Sequence, residues 1–349
     1  MKDISVIIPI YKVEEYIERC VLSVMNQECD GISIECILVD DKSPDRSIDK
    51  AIHLIDNYTG DIDFKIVYHE QNQGISVARN TGMKHATGKY VFFMDSDDDL
   101  INTCIKKLWN VVVNYQDIQM VMGNYLDKKT GNIGINSSRI LKGVISNYQL
   151  LELYFLGYIP VMVWNCLIQR DIIANNHLSF KQGLLQEDML WSSQLFRHID
   201  RFFFLPDVTL NYEYNPKSTM AELKYDETLH IPHQLYIIGE LLNTFREDHW
   251  VSNTLYVISE LLLVLDVIWK NKTQLDDDLV IKAYKYRKFI FRKNLCNVRL
   301  ILIIFGLVMY KPFGYIVKLK FYRKNYHKIR MAVYKISSIF NKRNTLILN

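Results

Sequence analysis

Four short apolar runs, at 5–9, 35–40, 65–69 and 90–94, alternate with segments of helical period at 14–27, 47–57 and 74–86. In the first of these helices Tyr16, Ile17, Cys20, Val21 and Val24 share one face. Strands joined through helices need crossover connections, and right-handed crossovers build a mostly parallel sheet. Such sheets take ligands beyond the carboxyl ends of their strands. Tyr11, Asp41, the segment Asn72-Gln73-Gly74 and the acidic run 95–99 all fall there.

That run sets Asp95, Asp97, Asp98 and Asp99 within five positions, with Ser96 among them. Carboxylates so close repel one another. One reading is an acidic turn in which Asp98 or Asp99 caps the next helix. A hard divalent cation accounts for the whole cluster better. Mg²⁺ or Mn²⁺ takes few protein carboxylates and fills its shell with water and phosphate oxygens. A turn at the strand end aims Asp95 and Asp97 into one cleft, where metal and diphosphate offset the repulsion.

The stretch NQGISVARNTGMKHATGKYVFFMDSDD, 72–98, resembles the N-x-G-x-x-x-A-R-N-x-G…D-x-D-D core of glycosyltransferase family 2. SVIIPIYKVEEYIERCVLSVMNQ, 5–27, resembles that family's first strand and helix, and LVDDKSPDRS, 38–47, its D-D-x-S-x-D element. The resemblance implies an α/β, Rossmann-like GT-A fold with an inverting active site. Tyr11 would stack on the nucleotide base and Asp41 would hydrogen-bond it, on a turn shaped by Pro9. Arg79 would lie near the nucleotide. Asp95, with Ser96 beside it, would approach the ribose, and Asp97 would bind Mn²⁺ or Mg²⁺ on the diphosphate. Gly74 and Gly82 suit close backbone approach and helix packing. Lys12 departs from the Asn that many members carry, which would weaken a turn hydrogen bond.

GLLQEDMLWSSQLF, 183–196, places Glu187-Asp188 ahead of an amphipathic helix, 91 residues after Asp97 in the case of Asp188. Carboxylates at a helix start are favoured by its dipole whatever their function. The resemblance implies more: its members carry such a pair, and the second carboxylate is the general base that removes the acceptor hydroxyl's proton. Glu187 would support the acceptor or orient Asp188. LNYEYNPKSTM, 210–220, resembles a segment that closes over the donor phosphates, with Lys217, Ser218 and Thr219 as donors. In VWNCLIQRDII, Cys166 stands where related sequences often have Lys, and Trp164 is either core or a sugar platform.

Further along, 108–115, 170–175 and 186–196 read as helices, 119–125, 164–168 and 208–214 as strands, and 127–136 as a hairpin; beyond Met220 the chain reads as mainly helical. The expected domains are a GT-A catalytic domain, 1–220, with a nucleotide-binding half, 1–100, and an acceptor half, 101–220; a helical extension, 221–280; and a basic amphipathic tail, 281–349. The formal net charge of +3 hides an asymmetry. Residues 281–349 hold 17 of the 42 Lys and Arg and none of the 39 Asp and Glu, leaving 25 basic against 39 acidic residues before them. The apolar part of the tail, 300–310, is about half the roughly 20 residues a spanning helix needs, and Pro312 follows it. Apolar and aromatic residues mixed with cations suit a bilayer interface; a helical subdomain with a basic solvent face is the alternative.

No secretory signal pattern opens the chain, and the six cysteines form no C-x-x-C pair, so reduced thiols in a cytoplasmic protein are expected. No nucleic-acid-binding motif accompanies the basic tail. The expected function is transfer of a sugar from a nucleotide diphosphate, UDP first, to a hydroxyl of a glycan or lipid-linked oligosaccharide. It would take place at the inner face of the cell membrane, in capsule or other surface-polysaccharide assembly. The alternatives are a nucleotidyltransferase, disfavoured because Pro9-Ile10-Tyr11 stands where a Gly-rich phosphate loop belongs, and a catalytically silent carbohydrate-binding or scaffold protein.

Overall fold

The computed structural model describes residues 2–218, 227–244, 250–271 and 275–294. The chain divides into two units, Met1–Leu150 with Pro160–Lys217, and Leu151–Ile159 with Ser218–Asn349. Thr219, Cys296 and the apolar segment 300–310 of the tail lie outside the described residues.

The first unit is built on one mixed sheet. Its strands are β1 (Ile4–Ile10), β2 (Ile34–Asp40), β3 (Asp63–Tyr68), β4 (Tyr90–Phe93), β5 (Asp99–Leu100), β6 (Met120–Asp127), β7 (Asn132–Ile133), β8 (Val144–Ser146), β9 (Cys166–Gln169) and β10 (Arg201–Tyr212). The order is β3-β2-β1-β4-β9-β6-β10-β5, with β7 paired to β6 and β8 to β10. Every residue of β1 and β2 is buried, as a sheet covered on both faces requires. On one face Ile4, Val6, Ile8 and Ile10 meet α1 (Ile17–Met25) and α4 (Cys104–Asn114), with Ala51 of α2 (Ser47–Asp56) in the same cluster. On the other, Phe93 packs edge-on against Phe180 and against Trp191 of α7 (Glu187–Leu195). Gly82 of α3 (Ile75–His85) lies against Ile7 on that face.

The parallel expectation holds for β3, β2, β1 and β4 and again for β6 with β10. It fails at β9, which runs antiparallel to both β4 and β6, and at β5, antiparallel to β10. Apolar periodicity identifies a strand but carries no direction. The hairpin forms as β6–β7, whereas Trp164 joins the sheet only by an isolated bridge to Phe93. Helix α5 (Asn147–Phe155) escapes the sequence reading because much of it is apolar on every side: Leu150, Leu151, Leu153, Tyr154 and Phe155 are all buried. Helix α6 (Arg170–Asn175) forms as expected. The five described cysteines are free.

In the second unit a 3₁₀ turn (Glu227–His230) leads into α8 (Ile231–Asn243), followed by α9 (Trp250–Lys270) and α10 (Asp277–Asn294). Pro232 in the first turn of α8 removes an N–H that has no helical partner there. Val257, Leu261 and Val264 on α9 are fully buried. No helix among the described residues is long and apolar enough to cross a membrane.

A Cβ at Gly82 would overlap the Ile7 Cγ2 methyl, and the seven-residue burial of β1 leaves that methyl nowhere to go. Gly82→Ala is therefore expected to destabilise the first unit by about 1–3 kcal/mol. Denaturant titration checks this, and the Gly82→Ala, Ile7→Ala double variant should lose less than the sum of the singles.

Candidate active site

The turns after β1 and β2 are knotted together. Ser43 and Ser47 donate from Oγ to Asp45 Oδ1 at 2.6 and 2.5 Å, and Glu14 N donates to Asp45 Oδ2 at 3.2 Å. Lys12 N and Val13 N in turn donate to Ser43 Oγ and Ser47 Oγ. The D-D-x-S-x-D element thus holds up the turn that presents Tyr11, which is 39% exposed beyond the buried Pro9, with Lys12 Nζ 5.1 Å from its ring centre. Lys12 has φ +55°. That left-handed conformation suits Asn and strains Lys. The turn hydrogen bond is made by the Lys12 backbone, so the departure from Asn leaves it intact and acts through conformational strain instead.

Asp41, 1% exposed, accepts four hydrogen bonds from its own chain. His69 Nδ1 and Gln73 N reach Oδ1 at 2.7 and 2.9 Å; Asn72 Nδ2 and Gly74 N reach Oδ2 at 2.9 and 2.7 Å. His69 Nε2 lies 2.9 Å from Thr81 Oγ1. The geometry makes Asp41 the organiser of the 72–74 loop, with its acceptor sites already engaged. Gly74 has φ +87° with open space around it, so conformation, not crowding, calls for glycine there.

The four aspartates after β4 are answered one at a time. Arg79 Nη2 donates to Asp95 Oδ1 at 2.7 Å. Asp99 pairs with Arg19 and Lys128 and accepts from Asn211 Nδ2 at 2.7 Å. Asp98 Oδ1 accepts from Glu213 N at 2.9 Å, while its Oδ2 is buried with no partner among the described residues. Burial, then Asp95 and Asp97, push the Asp98 carboxyl well up, towards its neutral form. Asp97 Oδ2 accepts from the neutral Asn215 Nδ2 at 3.1 Å, and burial with Asp95 beside it pushes the carboxyl up to about 6. Much of the repulsion is therefore met inside the chain. Neither Asp98 nor Asp99 caps a helix, since Thr103 holds the N-cap position of α4. Among the described residues no three His, Cys, Asp or Glu side chains converge as a metal cage. A raised carboxylate with one orphaned carboxyl oxygen nearby fits a hard cation that takes few protein ligands.

Arg79, 2% exposed, also donates from Nη1 to Glu187 Oε1 at 2.5 Å. Burial alone would lower the guanidinium's pKa; Asp95 and Glu187 outweigh it and keep the charge. The salt bridges join the end of β4 to the start of α7. Asn80 reinforces the join by exchanging two hydrogen bonds with the backbone of Phe180, 2.8 and 2.9 Å. Phe180 stacks on Trp191 at 4.1 Å. Gln186, the residue before Glu187, has φ +59°. Asp188 Oδ1 accepts from Met189 N at 2.9 Å. Burial first, and Glu187 second, push Asp188 up to about 7, against the pull of Arg79.

Ser96 is buried in the same turn. Lys217 pairs through Nζ with Glu15 on the surface, and its N–H donates to Asn215 Oδ1. Ser218 belongs to the second unit. Trp164 stacks on Tyr212, 5.7 Å between ring centres, and Cys166 is fully buried in β9. Sequence reasoning passed over Arg19, Asn80, Lys128, Asn211, Glu213 and Asn215. Asn80 sits inside the quoted A-R-N triplet and the last three inside 210–220, but spacing gave no sign that they face 97–99.

Residues 5–173 match Glycosyl transferase family 2. That match takes in 169 of the chain's 349 residues. The uncharacterized glycosyltransferase EpsJ of Bacillus subtilis is 29% identical over 323 residues, covering 86% of this chain and 91% of its own. The uncharacterized glycosyltransferase YibD of Escherichia coli is 30% identical over 196 residues, and the match spans only 55% of either protein. TarP of Staphylococcus aureus, a poly(ribitol-phosphate) beta-N-acetylglucosaminyltransferase, is 27% identical over 61% of this chain and 62% of its own. Among solved structures, S. aureus TarS 1–349 with UDP-GlcNAc superposes with a TM-score of 0.62 at 18% identity, covering 83% of this chain and 81% of that one. Mannosyltransferase PcManGT of Pyrobaculum calidifontis, with GDP-Man and Mn²⁺, gives 0.55 at 15%, covering 96% and 89%. The fold is GT-A.

Replacing Lys12 by Asn, at φ +55°, is expected to stabilise the first unit by about 0.5–1 kcal/mol. A higher denaturation midpoint at unchanged slope checks it.

Proposed function

We propose that this protein is an inverting glycosyltransferase of surface-polysaccharide assembly. It transfers a sugar from a nucleotide diphosphate, UDP first, to a hydroxyl of a glycan or lipid-linked oligosaccharide. The observation that carries the reading is the Arg79 bridge, which holds the end of β4, where Asp95 and Asp97 stand, against the start of α7, where Asp188 stands. UDP-GlcNAc in TarS supports the donor class, with GDP-Man in PcManGT as the competing nucleotide. The poly(ribitol-phosphate) activity in TarP's name and the teichoic acid role in that of GgaB of B. subtilis, 34% identical over 40% of this chain, support the pathway class.

In this mechanism Tyr11 stacks on the base, and Asp41 supports the loop beside it. Asp188 takes the acceptor's O–H proton as the oxygen attacks the anomeric carbon and the bond from that carbon to the donor phosphate breaks. The nucleoside diphosphate leaves, and the configuration inverts. Glu187, held by Arg79, keeps Asp188 aimed. Asp97 would hold Mn²⁺ or Mg²⁺, which would offset the negative charge of the diphosphate. Lys217, Ser218 and Thr219 are weaker candidates for phosphate contacts. The basic content of 281–349 supports peripheral attachment to an anionic membrane surface on the cytoplasmic side. The match of 5–173 to Glycosyl transferase family 2 disfavours the nucleotidyltransferase, and the raised Asp188 disfavours a silent scaffold.

Asp97→Ala should abolish Mn²⁺-dependent UDP binding in calorimetry while leaving the fold intact; undiminished affinity would refute its role.

Asp188→Asn should lower kcat about 10²–10⁴-fold with nucleotide affinity little changed. In the wild type, kcat/KM should fall on the acid side as Asp188 takes up its proton near pH 7. The same shift sets a stability sign. A carboxyl raised on folding adds stability in acid that is lost as pH climbs from the ordinary Asp range through about 7. Asp188→Asn should thus raise the melting temperature more at pH 8 than at pH 4. Transfer at the wild-type rate would place the base elsewhere.

A further inference from the structure

Helix α10 carries six Lys or Arg and no Asp or Glu over 281–294. Asp277 and Asp278 are exposed in its first turn, and over 281–294 its exposed described positions are Ile281, Tyr284, Lys285, Lys288, Phe289 and Arg292. Spacings of three and four residues put all six on one stripe. Ala283 and Ile290, on the other side, are 0% and 2% exposed. An ordinary surface helix turns its apolar stripe inward and leaves polar residues outside. Here the inner face is apolar, yet the outer stripe also carries Ile281 at 48%, Tyr284 at 45% and Phe289 at 40% exposure, threaded with cations. Lys285, Lys288, Phe289 and Arg292 line a concavity of about 450 Å³. The Arg287 guanidinium lies 4.9 Å over the Tyr284 ring, which adds a further cation at the edge of the stripe.

We propose that α10 lies flat on an anionic bilayer. Ile281 and Tyr284 enter the boundary between headgroups and acyl chains, and Lys285, Lys288 and Arg292 surround a lipid phosphate. This deepens the membrane part of the reading above and rests on it for the choice of an anionic cytoplasmic leaflet. Two features select a bilayer over a soluble polyanion. Cations alone would serve a phosphate polymer, but exposed Ile281 and Tyr284 need an apolar phase beside the charge. The charge also continues: residues 295–349 add 11 Lys or Arg and no Asp or Glu, which suits an extended anionic plane. Long basic side chains can bury their stems while keeping their heads at phosphate level.

The test is co-sedimentation of the full chain with phosphatidylglycerol–phosphatidylcholine vesicles and with phosphatidylcholine alone, at low and high salt. Lys285→Glu with Lys288→Glu and Arg292→Glu should weaken partitioning to anionic vesicles by at least about fivefold per cation. Ile281→Ser with Tyr284→Ser should weaken it most at high salt, where the charges are screened. Circular dichroism confirms folding, and Lys285→Gln with Lys288→Gln replaces the triple variant if that fails to fold. Wild-type binding by the charge variants would overturn the proposal and assign attachment to 295–349. Failure of the full chain to bind anionic vesicles would overturn it too, as would capture by long-chain polyphosphate with none by vesicles. Donor hydrolysis without vesicles, measured on the same preparations, reads the enzymatic assignment separately.

Discussion

A guanidinium as buried as that of Arg79 is unfavourable by several kcal/mol unless carboxylates meet it at close range. Asp95 and Glu187 do so, and they come from elements 108 residues apart in the case of Arg79 and Glu187. Neither can relax away without stranding a charge in the interior. The pairs therefore fix the distance between the edge of β4 and the start of α7 more firmly than apolar contact would. Asn80 and the Phe180–Trp191 stack brace the same join from the next positions along α3 and α7. Once the join is rigid, the burial that, with Glu187, raises the Asp188 carboxyl to about 7 is permanent.

The acidic run shows how differently a protein can treat neighbouring carboxylates. Asp95 and Asp99 are given cations, Asp98 is given a backbone N–H and pushed towards neutrality, and Asp97 is given a neutral amide. The site is thus graded in charge before any ligand arrives, with the demand for a counterion concentrated at Asp97.

Strands β1, β2 and β4, the helices between the first strands and the strand ends that carry polar residues were legible because burial on both faces leaves a continuous apolar run and crossovers leave helical period, while β3, at the sheet edge, is only partly buried. The direction of β9 was not, since pairing sense leaves no mark on composition. Helix α5 was hidden by its own burial, which erases amphipathicity. Asp41 is the instructive residue at the site. Its type and place were readable, but its role in holding Asn72, Gln73 and Gly74 depends on hydrogen bonds to a loop more than thirty residues away. The strain at Lys12 was likewise invisible, because residue identity does not report φ.

Three of the hydrogen-bond donors to the acidic run come from one segment. At the end of β10 and just past it, Asn211 Nδ2, the Glu213 backbone N–H and Asn215 Nδ2 donate to Asp99, Asp98 and Asp97 in turn, two residues of this segment passing for each one of the acidic run, so the one-to-one register of β5 on β10 stops at Asn211. Substituting Asn211 or Asn215 removes a side-chain partner of one carboxylate, whereas Glu213 serves Asp98 through its backbone N–H. Inserting or deleting a residue between these positions would displace every pairing beyond it, which a single substitution does not. Chains related to this one should therefore tolerate changes of length between 211 and 215 less well than in connections such as the β6–β7 turn.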